Sequence, residues 1–93
     1  GINVTLKSKN KSFYIVDDKL SYDFKDENDF YVSIFALSEK ALGVDIKGLY
    51  YELNNFDLSN DNALGVSNET TNKSFKISVK NGYLLVIFES KTI

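Results

Sequence analysis

Residues 74–90, SFKISVKNGYLLVIFES, constrain the fold more than any other part of the sequence. Apolar and polar residues alternate strictly in the first half, as they do in a strand with one buried face. Asn81-Gly82 separates the halves, and Asn-Gly between two β-rich runs is typical of a two-residue type I′ turn. The segment therefore predicts a β-hairpin. Its register would pair Val79 with Leu84, Ile77 with Val86 and Phe75 with Phe88.

The predicted hairpin has one face that is wholly apolar and a second face that is apolar on one strand only. Burying the first face contributes about 1.5–3 kcal/mol per side chain. Ordering the backbone costs about 1–2 kcal/mol per residue, so another layer must pack on the hairpin. On the second face Tyr83, Leu85 and Ile87 form a row, which places residues 83–88 in a central strand. Either the polar segment 54–73 or a partner is expected to cover Leu85 and Ile87.

Short apolar or alternating runs elsewhere supply further strands. They predict strands at residues 2–6, 13–16, 20–24, 30–37, 44–53 and 63–67. The 44–53 run changes phase at Gly48, as a β-bulge there would require, and its pattern points Leu49, Tyr51 and Leu53 inward and Tyr50 outward. Residues 54–73 are mostly polar and predict a long loop interrupted only by the short edge strand at 63–67.

Seven to eight short strands in a chain of 93 residues predict an all-β fold. We expect a single antiparallel β-sandwich domain over residues 1–93, with immunoglobulin-like topology favoured. The alternatives are a small barrel, or an α+β fold with one short helix near residues 38–43.

The composition argues against catalysis. Histidine and cysteine, the most versatile acid–base and nucleophilic groups, are both absent. The densest carboxylate groups, at residues 17–18 and 26–29, lie in expected surface turns of a small domain that has little room for a cleft. The sequence therefore predicts no enzyme, no catalytic residue and no cofactor.

A metal site has one weak candidate. The run Asp57-x-Ser59-x-Asp61 begins like a calcium loop, but Asn62 stands where that loop needs glycine and Asn68 stands where it needs glutamate. A polar segment without metal is the favoured interpretation. A noncanonical calcium site built from Asp57, Asp61 and Glu69 is the alternative.

Charge and hydropathy restrict the possible partners. All 11 basic residues are lysine, and 13 acidic residues give a net charge of -2, which predicts no nucleic-acid binding. No apolar run approaches the roughly 18 residues of a membrane span, so no membrane insertion is expected. Sequons for N-glycosylation at Asn3, Asn10, Asn68 and Asn72 are interpreted as a product of the asparagine-rich composition. The oligomeric state is left open.

The aromatic residues carry the functional hypothesis. Thirteen Phe and Tyr are more than a small core usually holds, and exposed aromatic rings favour interfaces. Tyr50, Phe56 and Tyr83 are the predicted binding residues. We expect a non-enzymatic module of a surface, secreted or virion protein that recognises a protein or a glycan, in an extracellular or surface location. The alternative is a small acidic cytoplasmic inhibitor or immunity protein that masks a basic site.

Overall fold

The computed structural model is an antiparallel β-sandwich. It describes residues 5–7, 11–22, 30–60, 66–71 and 74–91, and within these ranges it contains nine strands and no helix. The strands are β1 (Thr5–Lys7), β2 (Lys11–Val16), β3 (Lys19–Tyr22), β4 (Phe30–Ala36), β5 (Lys40–Lys47), β6 (Leu53–Ser59), β7 (Val66–Glu69), β8 (Phe75–Ser78) and β9 (Leu84–Ser90).

The strands form two sheets, and the predicted fold class is confirmed. The first sheet has five strands in the order β1-β2-β9-β4-β7, and the second has four in the order β3-β8-β5-β6. An immunoglobulin constant domain has seven strands in the orders ABED and CFG, so the two folds share the sandwich architecture but differ in strand number and order. Here the ninth strand lies in the middle of the larger sheet, between β2 and β4, so the central position predicted for residues 83–88 is also confirmed.

One apolar core fills the space between the sheets. Phe88 lies at one end of it and makes ring contacts with Tyr14, Phe30 and Phe75, at centroid distances of 5.3, 6.2 and 5.7 Å. The side chains of the core are all at most 5% exposed: Val16, Val32, Ile34, Ala41, Val44, Ile46, Leu49, Phe75, Ile77, Val79, Leu84, Val86 and Phe88.

The hairpin predicted for residues 74–90 is wrong, although its six apolar side chains are all in the core. β8 pairs with β3 and β5, whereas β9 pairs with β2 and β4, so the two runs lie in opposite sheets. Their apolar faces meet across the sandwich instead of side by side. The connecting segment is held by Leu42, whose N–H donates to the Asn81 carbonyl (2.7 Å) and whose carbonyl accepts from Lys80 N–H (2.9 Å).

The local predictions around β5 need two corrections. The alternative with a helix near 38–43 is wrong, because residues 37–39 form a bend and β5 begins at Lys40. The predicted bulge at Gly48 is displaced: the register of β5 against β6 shifts between Ala41 and Ile46, and Gly48 lies just beyond the strand with a φ of 89°.

The long polar loop predicted for residues 54–73 is also wrong. Of the described residues in that segment, most belong to β6 and β7, which are edge strands of opposite sheets. The expected edge strand corresponds to β7 from Val66, and residues 63–65 lie outside the described residues. Bonded into the sheets in this way, neither strand folds over Leu85 and Ile87. Both of those side chains are half-buried on the outer face of β9.

No segment of the described chain has the length and apolarity of a membrane-spanning helix.

Candidate functional site

The chain between β5 and β6 forms a sharp corner that carries two exposed tyrosines. Tyr50 is 64% exposed and Tyr51 is 60% exposed. Their ring centroids lie 4.9 Å apart with the planes at 68°, an edge-to-face arrangement. Together the two rings present an exposed aromatic surface at one edge of the sandwich. We call residues 48–52 the Tyr50–Tyr51 corner.

Asn68 on β7, in the opposite sheet, fixes this corner from within. It is only 4% exposed. Its side-chain oxygen accepts from Tyr51 N–H (2.9 Å) and from Glu69 N–H (3.0 Å), while its amide nitrogen donates to the Tyr51 carbonyl (2.6 Å). The Asn68 side chain thus bonds both the N–H and the carbonyl of Tyr51. Buried polar groups without a hydrogen-bond partner are costly, so these bonds stabilise the corner.

Further backbone contacts join the corner to the chain that follows β7. Tyr50 N–H donates to the Glu69 carbonyl (2.9 Å), and the Thr71 hydroxyl donates to the Gly48 carbonyl (2.8 Å). Leu49 bridges to Thr70 and places its own side chain in the core. The aromatic pair therefore lies between the two sheets, after β5 of one sheet and beside β7, the edge strand of the other. Its backbone is hydrogen-bonded to the chain at the end of β7.

Charged groups flank the corner. The Glu52 carboxylate accepts from Gly48 N–H (2.9 Å), which closes the corner on itself. Glu69 forms an ion pair with Lys91, and the Lys91 ammonium also lies 5.0 Å from the centre of the Tyr31 ring. Glu52 thus holds the corner directly, while the Glu69–Lys91 pair belongs to the neighbouring strand β7 and the end of β9.

The structure separates the three predicted binding residues. Tyr50 is in the corner. Phe56 is 49% exposed in the middle of the edge strand β6, and Tyr83 is 50% exposed immediately before β9. Tyr83 bonds through its carbonyl to Leu37, past the end of β4, whereas the corner lies near Phe30, the first residue of β4. Seven strand residues separate these ends, about 20 Å.

A concave region lies at the Tyr83 end of the molecule. It is an open cleft of about 490 Å³ where the connections β4–β5 and β8–β9 meet. Acidic and basic side chains mix along its wall, which is lined by Asp17, Ser38, Glu39, Lys40, Lys80, Asn81, Gly82 and Tyr83. It has neither a paired aromatic surface nor a single sign of charge.

The calcium candidates are dispersed. Asp57 on β6 accepts from Gly43 N–H (3.0 Å), and Glu69 on β7 is paired with Lys91. Asp61 lies outside the described residues. Within the described ranges no three potential metal ligands come together.

Sequence reasoning missed Tyr51 and Asn68. Tyr51 was expected to point inward because its position continues the alternation from Leu49, but the corner interrupts that alternation. Asn68 appeared only as a sequon and as a failed calcium ligand. Nothing in its local sequence shows that it faces the core, since its role depends on a contact with a strand connection 17 residues away.

Residues 21–84 match the family described as thiamin pyrophosphokinase, vitamin B1 binding domain. The match covers more than half of the chain and includes the whole Tyr50–Tyr51 corner and Asn68. The chain belongs to this family.

Solved structures of this family share the fold. The thiamine pyrophosphokinase of Bacillus subtilis has a TM-score of 0.83 at 26% identity, over 97% of this chain and 42% of that one. The Geobacillus thermodenitrificans enzyme has a TM-score of 0.83 at 22% identity, over 95% and 41% of the two chains. An Enterococcus faecalis thiamin pyrophosphokinase family protein has a TM-score of 0.69 at 16% identity, over 91% and 39%. The chain thus spans less than half the length of each of them. No curated protein matches the sequence.

These findings overturn the functional hypotheses drawn from the sequence. A non-enzymatic module of a surface, secreted or virion protein is wrong, because the family and its structural relatives are thiamin pyrophosphokinases, which are enzymes. The alternative of an inhibitor or immunity protein and the preference for an extracellular location are wrong for the same reason. The ligand in the family description is a small molecule, where the sequence suggested a protein or a glycan.

Proposed function

We propose that this domain binds thiamine, vitamin B1, and that the Tyr50–Tyr51 corner is the binding surface. The observation that carries the proposal is the exposed edge-to-face tyrosine pair held by a buried asparagine inside the family-matched region. Recognition of small aromatic molecules depends on such rings being fixed before the ligand arrives, because ordering them on binding would cost affinity.

The chemistry of thiamine suits this surface. Thiamine joins a positively charged thiazolium ring to a neutral aminopyrimidine ring. A tyrosine face attracts a cation by about 0.5–2 kcal/mol and also stacks on flat heterocycles. Glu52 follows Tyr51 in the chain, and its carboxylate, which closes the corner through Gly48 N–H, favours a positively charged ligand nearby.

We assign this domain the recognition part of a thiamin pyrophosphokinase activity. Phosphoryl transfer is catalysed mainly by groups that position and neutralise phosphates, such as a glycine-rich loop with lysine, arginine and metal ions. The 93 residues contain no arginine and no G-x-x-x-x-G-K-S/T loop. Membership of the family supports a role in an enzyme. The geometry of the corner supports thiamine recognition as the contribution of this domain to that role.

Replacing Tyr51 by alanine is expected to weaken thiamine binding by about tenfold or more, because one of two stacking rings is lost. Isothermal titration calorimetry with thiamine measures this directly. Tyr50→Ala should have a similar effect. Tyr83→Ala removes an equally accessible aromatic ring about 20 Å away and should leave the affinity unchanged.

Two further results would count against the proposal. Equal losses in Tyr51→Ala and Tyr83→Ala would move the site away from the corner. No heat of binding and no tyrosine resonance shift with millimolar thiamine would refute binding by this domain. The aminopyrimidine alone, which lacks the cation, should bind more weakly than thiamine if the Glu52 carboxylate contributes.

A further inference from the structure

Asn81-Gly82 is the one place in the sequence where an asparagine is followed by glycine. Asparagine in this setting is chemically labile, because the backbone nitrogen of the next residue can attack the side-chain amide and glycine has no Cβ atom to obstruct the attack. The dipeptide does not form the hairpin turn that the sequence predicts. It lies in the connection that takes the chain from β8 in one sheet to β9 in the other.

Close packing requires the glycine of this pair. A Cβ atom at position 82 would lie 2.5 Å from the Lys40 carbonyl oxygen and 2.6 Å from the Ser38 Oγ. The first contact is with backbone, so no side-chain rotation relieves it. A residue that would slow the attack on Asn81 therefore does not fit at position 82, and the fold itself retains the reactive dipeptide.

Both reacting groups are accessible. Asn81 is exposed and Gly82 is half-buried, and both line the open cleft of about 490 Å³ at the Tyr83 end of the molecule. Among the described residues, none accepts a hydrogen bond from Gly82 N–H. Water and hydroxide can therefore reach the dipeptide, and no bond to the Gly82 nitrogen from that part of the chain has to break before it reacts.

Leu42 on β5 holds the backbone of Asn81. Leu42 N–H donates to the Asn81 carbonyl (2.7 Å), and the Leu42 carbonyl accepts from Asn81 N–H (3.2 Å). We call these two bonds the Leu42–Asn81 pair. To close a ring, the peptide unit between residues 81 and 82 must rotate until its nitrogen faces the side-chain carbon, and the Asn81 carbonyl turns with it. The bond to that carbonyl opposes the rotation, so the reaction needs the Leu42–Asn81 pair to open locally.

We propose that Asn81 is a site of spontaneous deamidation and that the Leu42–Asn81 pair sets its rate. The Gly82 nitrogen gives up its proton to hydroxide and bonds to the side-chain carbon of Asn81, and the side-chain amide leaves as ammonia with a proton from water. The product is a cyclic succinimide. Water then opens either of its two carbonyls and gives aspartate or isoaspartate at position 81. Overall, an amide and one water become a carboxylic acid and ammonia.

The two products differ in how they fit the Leu42–Asn81 pair. Either product adds a negative charge to a cleft that the carboxylates of Asp17 and Glu39 already line. Aspartate leaves the backbone as it was. Isoaspartate takes the main chain through the former side chain and adds one carbon, about 1.5 Å, between the N–H and the carbonyl that Leu42 binds. Both bonds cannot then keep their lengths, so only isoaspartate is expected to loosen the connection.

Peptide mapping by mass spectrometry tests the site, on folded protein kept in mildly alkaline buffer at physiological temperature. Asn81 should deamidate faster than any other asparagine of the described residues, with isoaspartate as the main product. Asn81→Gln should remove this event, because glutamine has to close a larger ring. The matched control is Asn54→Gln, at an exposed asparagine on β6, which should leave deamidation at Asn81 unchanged. An Asn81 that stays intact while Asn54 reacts overturns the proposal.

Two further measurements test the role of the Leu42–Asn81 pair. Asn81 should deamidate several-fold faster in the urea-unfolded chain than in the folded one, and equal rates would show that the pair does not control the reaction. The isoaspartate form, separated by chromatography, should show faster hydrogen exchange at the Leu42 amide and a lower urea midpoint than the Asn81→Asp variant. Identical exchange and midpoints in these two proteins would refute the effect on the pair.

Discussion

Gly48→Ala is expected to reduce the free energy of unfolding by about 3 kcal/mol or more, so that much of the variant is unfolded at 37 °C. A Cβ atom at position 48 would lie 2.1 Å from the Ser74 carbonyl oxygen and 2.8 Å from the Phe75 Cα. Both contacts are with backbone that leads into β8, so neither can be relieved by a side-chain rotation. The φ of 89° adds the strain of a conformation that side chains avoid.

Gly43→Ala is the matched control for this result. Its φ is also positive, at 66°, but the three atoms nearest to a Cβ there belong to the aliphatic part of the Lys80 side chain, at 2.6–3.0 Å. That flexible chain can move aside, so the expected loss is about 1–2 kcal/mol from the backbone conformation. Urea denaturation of both variants gives the comparison. Equal losses of unfolding free energy in the two variants would show that the backbone at Ser74 can shift to accommodate a Cβ atom. The corner would then be held less tightly than its contacts indicate.

Asn68→Ala should lower the free energy of unfolding by about 2–4 kcal/mol and weaken thiamine binding by at least tenfold in the fraction that remains folded. The substitution leaves the Tyr51 N–H and carbonyl without their buried partner. The backbone that carries both rings is then free to move. Thermal unfolding and thiamine titration measure the two effects separately.

Asn54→Ala removes an amide of the same size from an exposed position on β6 and should change stability by less than about 0.5 kcal/mol. Asn68→Asp keeps the acceptor for Tyr51 N–H but replaces the donor to the Tyr51 carbonyl with an oxygen, so its loss should also be large. Normal thiamine affinity in a folded Asn68→Ala variant would contradict the role of Asn68 as the support of the corner.

The periodicity of the sequence predicted which side chains enter the core but not which strands are neighbours. Phe75, Ile77 and Val79 are buried, as are their intended partners on β9. Alternation shows only that one face of each run is apolar. Those faces are buried equally well when the two runs pair in one hairpin and when they face each other from opposite sheets. In the structure the Asn81 backbone is hydrogen-bonded to Leu42, a residue far away in the chain, and local periodicity carries no information about such a contact.

The candidate site was less accessible to sequence reasoning. Exposure of Tyr50 followed from its phase relative to Leu49, and the structure shows the same exposure. Tyr51 and Asn68 could not be found in this way, because one breaks the alternation and the other is a polar residue that faces the core. A buried polar side chain leaves no periodic signal, and only the folded backbone shows which groups it satisfies.

The position of β9 has a consequence for how the chain acquires its structure. This strand is the middle of the five-stranded sheet, yet all eight other strands of the described residues precede it in the chain. During synthesis, the edges of β2 and β4 that pair with β9 have no partner until β9 has been made. The larger sheet can therefore form only after residue 90 has been translated. We expect the larger sheet to form late and slowly, with chaperone demand concentrated in nascent chains that end before β9.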